Sequence, residues 1–260
     1  MALTLTQAVL AIASGSVVGF SLGLVGGGGS ILAVPLLVYV VGLDNPHVAI
    51  GTSAIAVALS AAANLAMHAR AGTVKWHCAS VFAVAGVVGA FLGSTLGKMM
   101  NGQRLLALFA VLMMVVGALM LRHGTRTGDP AVRLSREILP KLLGLGLLVG
   151  LLSGFFGIGG GFLIVPALML AAGIPLLNAI GSSLLSVTTF GLTTAGNYAW
   201  SGLIDWPLAG LFVAGGVLGG LLGARLVKSL ASRRGALTMI FAVLIFAVAI
   251  YMLVRSLSLI

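Results

Sequence analysis

The chain has 260 residues, of which 60% are hydrophobic and 7% charged, against about 25% charged in an ordinary soluble domain. Fourteen Lys and Arg against four acids give a net charge of +10, which in a soluble protein points to nucleic acid but in so apolar a chain sets membrane topology. No polar stretch exceeds the one from Arg122 to Lys141, which leaves no room for a soluble catalytic domain: residues 1–260 read as one all-α integral membrane domain solvated by the lipid bilayer, not an enzyme and with no nucleic-acid partner.

The N-terminus, MALTLTQAVLAIASGSVVGF, lacks the basic region of a secretory signal and reads as the first retained span. Ten apolar segments follow one another, at roughly 3–25, 31–42, 48–68, 78–97, 104–121, 139–156, 162–173, 179–199, 207–227 and 235–255. Eight are long enough to span. The segments from Ile31 and Phe162 hold about 12 residues, and at ~1.5 Å per residue they reach ~18 Å in a hydrocarbon core of ~30 Å. They are expected to be half-helices or hairpin arms. Cys78, beside His77, is the single cysteine, and no partners cluster around it, so neither a disulfide, a metal nor a cofactor is expected.

The chain repeats itself. At an offset of 131, Gly23, Gly26, Gly28, Gly29, Leu32, Val34, Pro35 and Gly42 meet Gly154, Gly157, Gly159, Gly160, Leu163, Val165, Pro166 and Gly173. At 130, Ala49, Ile50, Gly51, Ser53, Gly72, Trp76, Gly86, Gly89, Gly93 and Lys98 meet Ala179, Ile180, Gly181, Ser183, Gly202, Trp206, Gly216, Gly219, Gly223 and Lys228. This divides the chain into repeat one, 3–121, a cytosolic connecting loop, 122–141, and repeat two, 142–257. Five segments per repeat, an odd number, put the two copies in opposite orientations. Counting Lys and Arg agrees: inverted repeats hold eleven of the fourteen in the cytosol, leaving Lys98, Arg104 and Arg255 outside, whereas parallel repeats leave eight outside. Both termini are then expected outside.

In each repeat a glycine-rich break follows the first span, GLVGGGGSILAVP from Gly23 and GFFGIGGGFLIVP from Gly154. Consecutive glycines make helix expensive, by ~1 kcal/mol each relative to alanine, and a broken helix in lipid frees backbone N–H groups that need a partner. With the partial positive charge of the following helix, those groups form an anion site without a charged side chain, as in transporters with discontinuous helices. The candidate site comprises Gly26, Gly27, Gly28, Gly29 and Ser30 with Gly157, Gly159, Gly160 and Gly161. The hydroxyls of Thr52, Ser53, Ser182 and Ser183 open the next spans, as oxyanion ligands, as helix caps, or as both. By contrast, Gly86/Gly89/Gly93 and Gly216/Gly219/Gly220/Gly223 sit three and four apart and read as packing faces. Asn64 and Asn197 are either interhelical hydrogen bonds or pathway residues. His68, matched by Tyr198, is the histidine best placed for coupling; Trp76 and Trp206 read as interfacial anchors.

The breaks GGGGSILAVP and GIGGGFLIVP, the pairs AIGTS and AIGSS, and the sequences G-T-V-K-W and G-L-I-D-W resemble the sulfite exporter TauE/SafE family, within the sulfonate permease superfamily. The resemblance covers both halves. It implies a bacterial inner-membrane, multi-pass carrier moving small inorganic or organic anions such as sulfite or a sulfonate. Export by alternating access, one half rocking against the other, is the expected mechanism, with a passive small-anion channel on the same fold as the alternative. The family's second half commonly reads G-T-S where this chain has Gly181, Ser182, Ser183, and Lys75 stands where the second half has Asp205. Glycine faces pack helices between subunits as readily as within one, so a homo-oligomer stays open.

Overall fold

A computed structural model describes residues 4–122, 135–157, 161–230 and 245–255. Among them the chain is helical throughout: α1 (Leu5–Val25), a composite α2, α3 (Pro46–Arg70), α4 (Trp76–Met99), α5 (Gly102–Arg122), α6 (Leu139–Phe156), α7 (Gly161–Ala172), α8 (Leu176–Trp200), α9 (Trp206–Leu230) and α10 (Ile245–Arg255). Six of them, α1, α3, α4, α6, α8 and α9, are long and apolar enough to cross a membrane; α2, α7 and α10 are shorter apolar helices. Most of the expected connecting loop, 123–134, lies outside the described residues, as do Gly159 and Gly160.

The first break is milder than its sequence suggests. The glycines tighten the helix into 3-10 form over Gly26–Leu32, which passes through Ala33–Pro35 into a widened π stretch, Leu36–Val40, to make α2. A 3-10 turn still pairs backbone groups, so glycine's cost is met by tightening rather than by leaving helix. The second break does leave it: Gly157 ends α6 at φ 67°, in the left-handed region glycine enters most cheaply. Further on, Gly42 and Gly173 end the two short helices at φ 82° and 64°, and Gly72 and Gly202 turn the loops before Trp76 and Trp206 at φ 69° and 68°. Each of these pairs matches across the repeat.

Helix directions follow from which glycines face which neighbours. A Cβ on Gly15 would strike Phe212, on Gly19 the Gly216 carbonyl, on Gly219 Ser16, and on Gly223 Phe20. Numbers rise together, so α1 and α9 run parallel at close range. Likewise Gly89, Gly93 and Gly97 of α4 face Leu147, Leu151 and Phe155 of α6, again parallel. Each repeat's first helix therefore packs on the fourth helix of the other repeat, and the small residues read as packing faces are the ones that allow it. In contrast α3 and α8 run antiparallel, because Gly51 faces Leu203, Gly191 faces Ala54 and Ala58, and Gly181 faces Thr73. The Gly216–Ser60 and Gly220–Asn64 contacts make α3 parallel to α9, hence to α1. Since α1 and α3 point the same way, α2 must carry the chain back between them; it is a hairpin arm.

Large apolar side chains cover the outside, among them Val84 at 69% and Trp200 at 95% exposure, while the interior is filled by residues such as Phe82, Phe109, Phe190, Phe212 and Tyr198. Buried polar groups also line α3 and α8, at Thr52, Ser60, Asn64 and His68 and at Ser182, Ser186, Thr194 and Tyr198. An apolar exterior around a polar-containing core is the arrangement lipid selects.

Candidate functional site

α2 and α7 meet at the centre. The Gly26–Leu32 stretch packs against α1, α7 and α8, and Gly29 lies against the backbone of Ser21 and Leu22, so only a residue without a side chain fits the fold-back. Ser30 and Gly161 are buried. Across the molecule the left-handed Gly157 abuts Ile50, and a Cβ there would strike the Ile50 Cγ2. Ser53 Oγ donates to Ile50 O at 2.8 Å and lies 3.5 Å from Gly157 O, and Ser183 Oγ donates to Ile180 O at 2.8 Å. Thus Ser53 of repeat one meets the break of repeat two.

Thr52, Ser53, Ser182 and Ser183 are fully buried, but none is a helix cap. Asn45 caps α3 by accepting from His47 N–H at 2.9 Å, with Pro46 at the first helical position, and Pro175 precedes α8. The four hydroxyls sit six or seven residues inside their helices. Two of them do a different job. Asp205 N–H donates to Thr52 Oγ1 at 3.0 Å, and at the matching place Lys75 N–H donates to Ser182 Oγ at 2.9 Å. The loop that ends in Trp206 is thereby clasped to the start of α3, and the loop that ends in Trp76 to the start of α8. Asn178 Nδ2 adds a bond to Thr73 O at 3.0 Å on the second clasp only, for Val48 stands at its counterpart. A hydroxyl that accepts a bond keeps its proton to donate, so the clasp leaves Thr52 and Ser182 able to serve an anion.

The remaining candidates lie away from the breaks. Asn64 Nδ2 donates to Ser60 O within α3 at 2.9 Å, while its Oδ1, buried against Gly220, finds no partner. His68 Nδ1 lies 3.0 Å from Thr73 Oγ1, at the end of α3 that carries the Ser182 clasp. Asn197 ties α8 to α4, donating to Ser94 Oγ at 2.6 Å and Thr95 Oγ1 at 2.9 Å. Tyr198 is fully buried and its Oη is without a partner. Sequence reasoning passed over Lys98, Asn178, Ser186 and Thr194, though the period-four series Ser182, Ser186, Thr194, Tyr198 was open to it.

Comparison with known proteins agrees with the membrane architecture. The family model described as "Sulfite exporter TauE/SafE" matches residues 11–252. A protein of Xylella fastidiosa (strain 9a5c) named "Probable membrane transporter protein" is 52% identical over 257 residues, 98% of each chain. "Probable membrane transporter protein YunE" of Bacillus subtilis is 26% identical over 248 residues, 86% of this chain and 90% of that one. "Probable membrane transporter protein MJ0441" of Methanocaldococcus jannaschii is 28% identical over 204 residues, 74% of this chain and 71% of that one. No solved structure gives a significant match. With the family match running from residue 11 to 252 and six helices long and apolar enough to cross a membrane, the chain belongs to the sulfite exporter TauE/SafE family and is a multi-pass membrane transporter.

Proposed function

We propose that the protein is a secondary carrier exporting small sulfur oxyanions, sulfite or organosulfonates, across a bacterial inner membrane by alternating access between inverted repeats. The observation that carries the reading is the antiparallel packing of α3 on α8. These helices occupy the same place in the two repeats, and copies related by an axis along the membrane normal would have them parallel. The parallel α1–α9 and α4–α6 pairs fit the same inverted scheme, as does the gathering of Arg70 and Arg225 at the ends of two parallel helices, α3 and α9, on the side assigned to the cytosol. Both termini then lie outside.

In this reading the anion sits between the breaks, near Gly26 to Ser30 and Gly157 to Gly161, with Thr52 and Ser182 donating hydroxyl protons, Ser53 and Ser183 turning theirs from the Ile50 and Ile180 carbonyls to the anion, and the N-terminus of α7 favouring negative charge. Full burial of the hydroxyls corresponds to a closed state, so access requires a loop or helix pair to move. The crosswise packing changes what moves. Sequence halves cannot rock as blocks while α1 grips α9 and α4 grips α6; the rocking bodies are composites, one built on each pair. Sulfite, being tetrahedral in its electron pairs and doubly acceptor-rich, suits donors arriving from two sides.

The test is sulfite and methanesulfonate flux in proteoliposomes. The double variant Ser53→Ala/Ser183→Ala, which removes two donors with little change of volume, is expected to raise the KM at least several-fold in correctly inserted protein. Unchanged KM and rate would remove the hydroxyls from the site. Currents far above carrier rates would favour a channel on the same fold.

A further inference from the structure

At one end of the molecule a cation is held by neutral groups alone. Lys98, at the end of α4 and half-buried, donates from Nζ to Asn197 O at 2.9 Å, to Asn197 Oδ1 at 2.7 Å and to Ser201 Oγ at 2.9 Å. Three donors meet three acceptors, all uncharged, and no carboxylate lies within ion-pair distance among the described residues. The ammonium also stands 5.9 Å above the Tyr198 ring. Beneath it two buried polar atoms have no partner, Tyr198 Oη and His47 Nδ1, on rings whose centroids are 6.3 Å apart. His47 Nε2 is 3.1 Å from Met100 O; a carbonyl only accepts, so Nε2 is the donor there. Trp200 and Trp206, both exposed, flank the spot as interfacial anchors, which sets it within reach of water.

A lysine at a helix C-terminus is ordinary capping, but capping does not explain three further facts. Ser201 is the first residue of the loop that Asp205 clasps to Thr52, so the same ammonium that caps α8 also fastens that loop. The sequence does not repeat these acceptors: the counterparts of Asn197 and Ser201 are Met67 and Ala71, neither of which has a side-chain oxygen. In a machine built from two matched halves, a tie whose side-chain acceptors come from one half alone biases which side opens. Finally, the uncompensated ammonium gains from an anion a Coulomb attraction that neutral oxygens do not supply.

We propose that Lys98 is an anion-responsive latch: a small oxyanion arriving at the Tyr198 end takes the ammonium from Asn197 and Ser201, with the Tyr198 hydroxyl as a second donor, and frees the 201–205 loop to lift from α3. Lys98 is thus the contact of the anion at the face where it leaves and the group that converts its presence into opening. The inference rests on the oxyanion-carrier reading above and adds to it a peripheral site and a gate.

The test uses the full-length protein with Cys78→Ala, which removes the one native thiol, and a single reporter cysteine at Ile204→Cys or at its repeat counterpart Val74→Cys. Labelling by a membrane-impermeant maleimide is followed in vesicles of both orientations. Methanesulfonate is the probe anion, because sulfite itself adds to maleimides, with equimolar chloride as reference. In the parent, methanesulfonate should raise labelling at position 204 several-fold. Lys98→Met should raise it without the anion, on the order of tenfold for loss of even one charge-assisted bond, and abolish the response. Lys98→Gln keeps a donor but no charge, so it should keep labelling low and still lose the response. A response that persists in Lys98→Gln, or Lys98→Met labelling no higher than the parent's, would overturn the latch while leaving carrier activity intact. No response at either reporter together with no sulfonate flux would instead overturn the oxyanion reading, and the latch with it.

Discussion

Gly93→Leu and its repeat counterpart Gly223→Leu are each expected to abolish recovery of folded protein from membranes. At both positions an added Cβ runs into the partner helix backbone, Leu151 for Gly93 and Phe20 for Gly223. A side-chain obstacle could swing aside, but a carbonyl in a helix cannot, so α4 must leave α6, or α9 must leave α1. Overpacking in a core costs about 1–3 kcal/mol and occasionally more. Here the strain falls on the crosswise pairs that join the two repeats, so its effect should exceed that of an ordinary core insertion. Size-exclusion chromatography in detergent checks it: aggregation or loss of the monodisperse peak is expected, with Gly144→Leu, whose Cβ would meet nothing, eluting as the parent does.

Thr52→Val is expected to destabilise the protein by about 1–3 kcal/mol, because it keeps the shape of threonine and leaves the partly buried Asp205 N–H without its acceptor. Ser182→Ala should act alike through the Lys75 N–H, whereas Thr52→Ser restores the oxygen and should lie close to the parent. Thermal unfolding in detergent reads the difference. Equal melting of Thr52→Val and parent would mean that the loop clasp does not hold in solution. Because the clasps sit at opposite ends of α3 and α8, the two variants should also loosen opposite faces, which the reporters at 204 and 74 can read separately.

Much of this architecture was legible in the sequence. Positive-φ glycines at 42/173 and 72/202 are landmarks that repeat matching picks out, and among the described residues the apolar segments correspond to the helices within a few residues, positions 235–244 of the last segment lying outside the described residues. Partner choice was not legible. A small-residue stripe such as Gly216/Gly219/Gly223 marks a face fit for close approach but does not name the helix that approaches, so the grip of α1 on α9 emerged only from the fold. The role of Thr52 and Ser182 was half visible. Asn45-Pro46 is itself a cap and first-turn signature, and it moves the start of α3 ahead of Ile50, putting Thr52 inside the helix; its partner, a backbone N–H four residues after Ser201, has no side-chain signature at all. Lys98 was counted only as one of three charges outside. What distinguishes it, neutral acceptors from α8 a hundred residues away, depends on tertiary structure.

The most direct measurement is counterflow in proteoliposomes. Vesicles loaded with unlabelled sulfite and diluted into a trace of labelled sulfite should accumulate the label transiently above equilibrium, since a carrier returns its site to the outside faster when loaded, and a shared site alternates between faces. A monotonic approach to equilibrium, with no overshoot and no acceleration by internal sulfite, would contradict a carrier whose oxyanion site lies between the two glycine breaks.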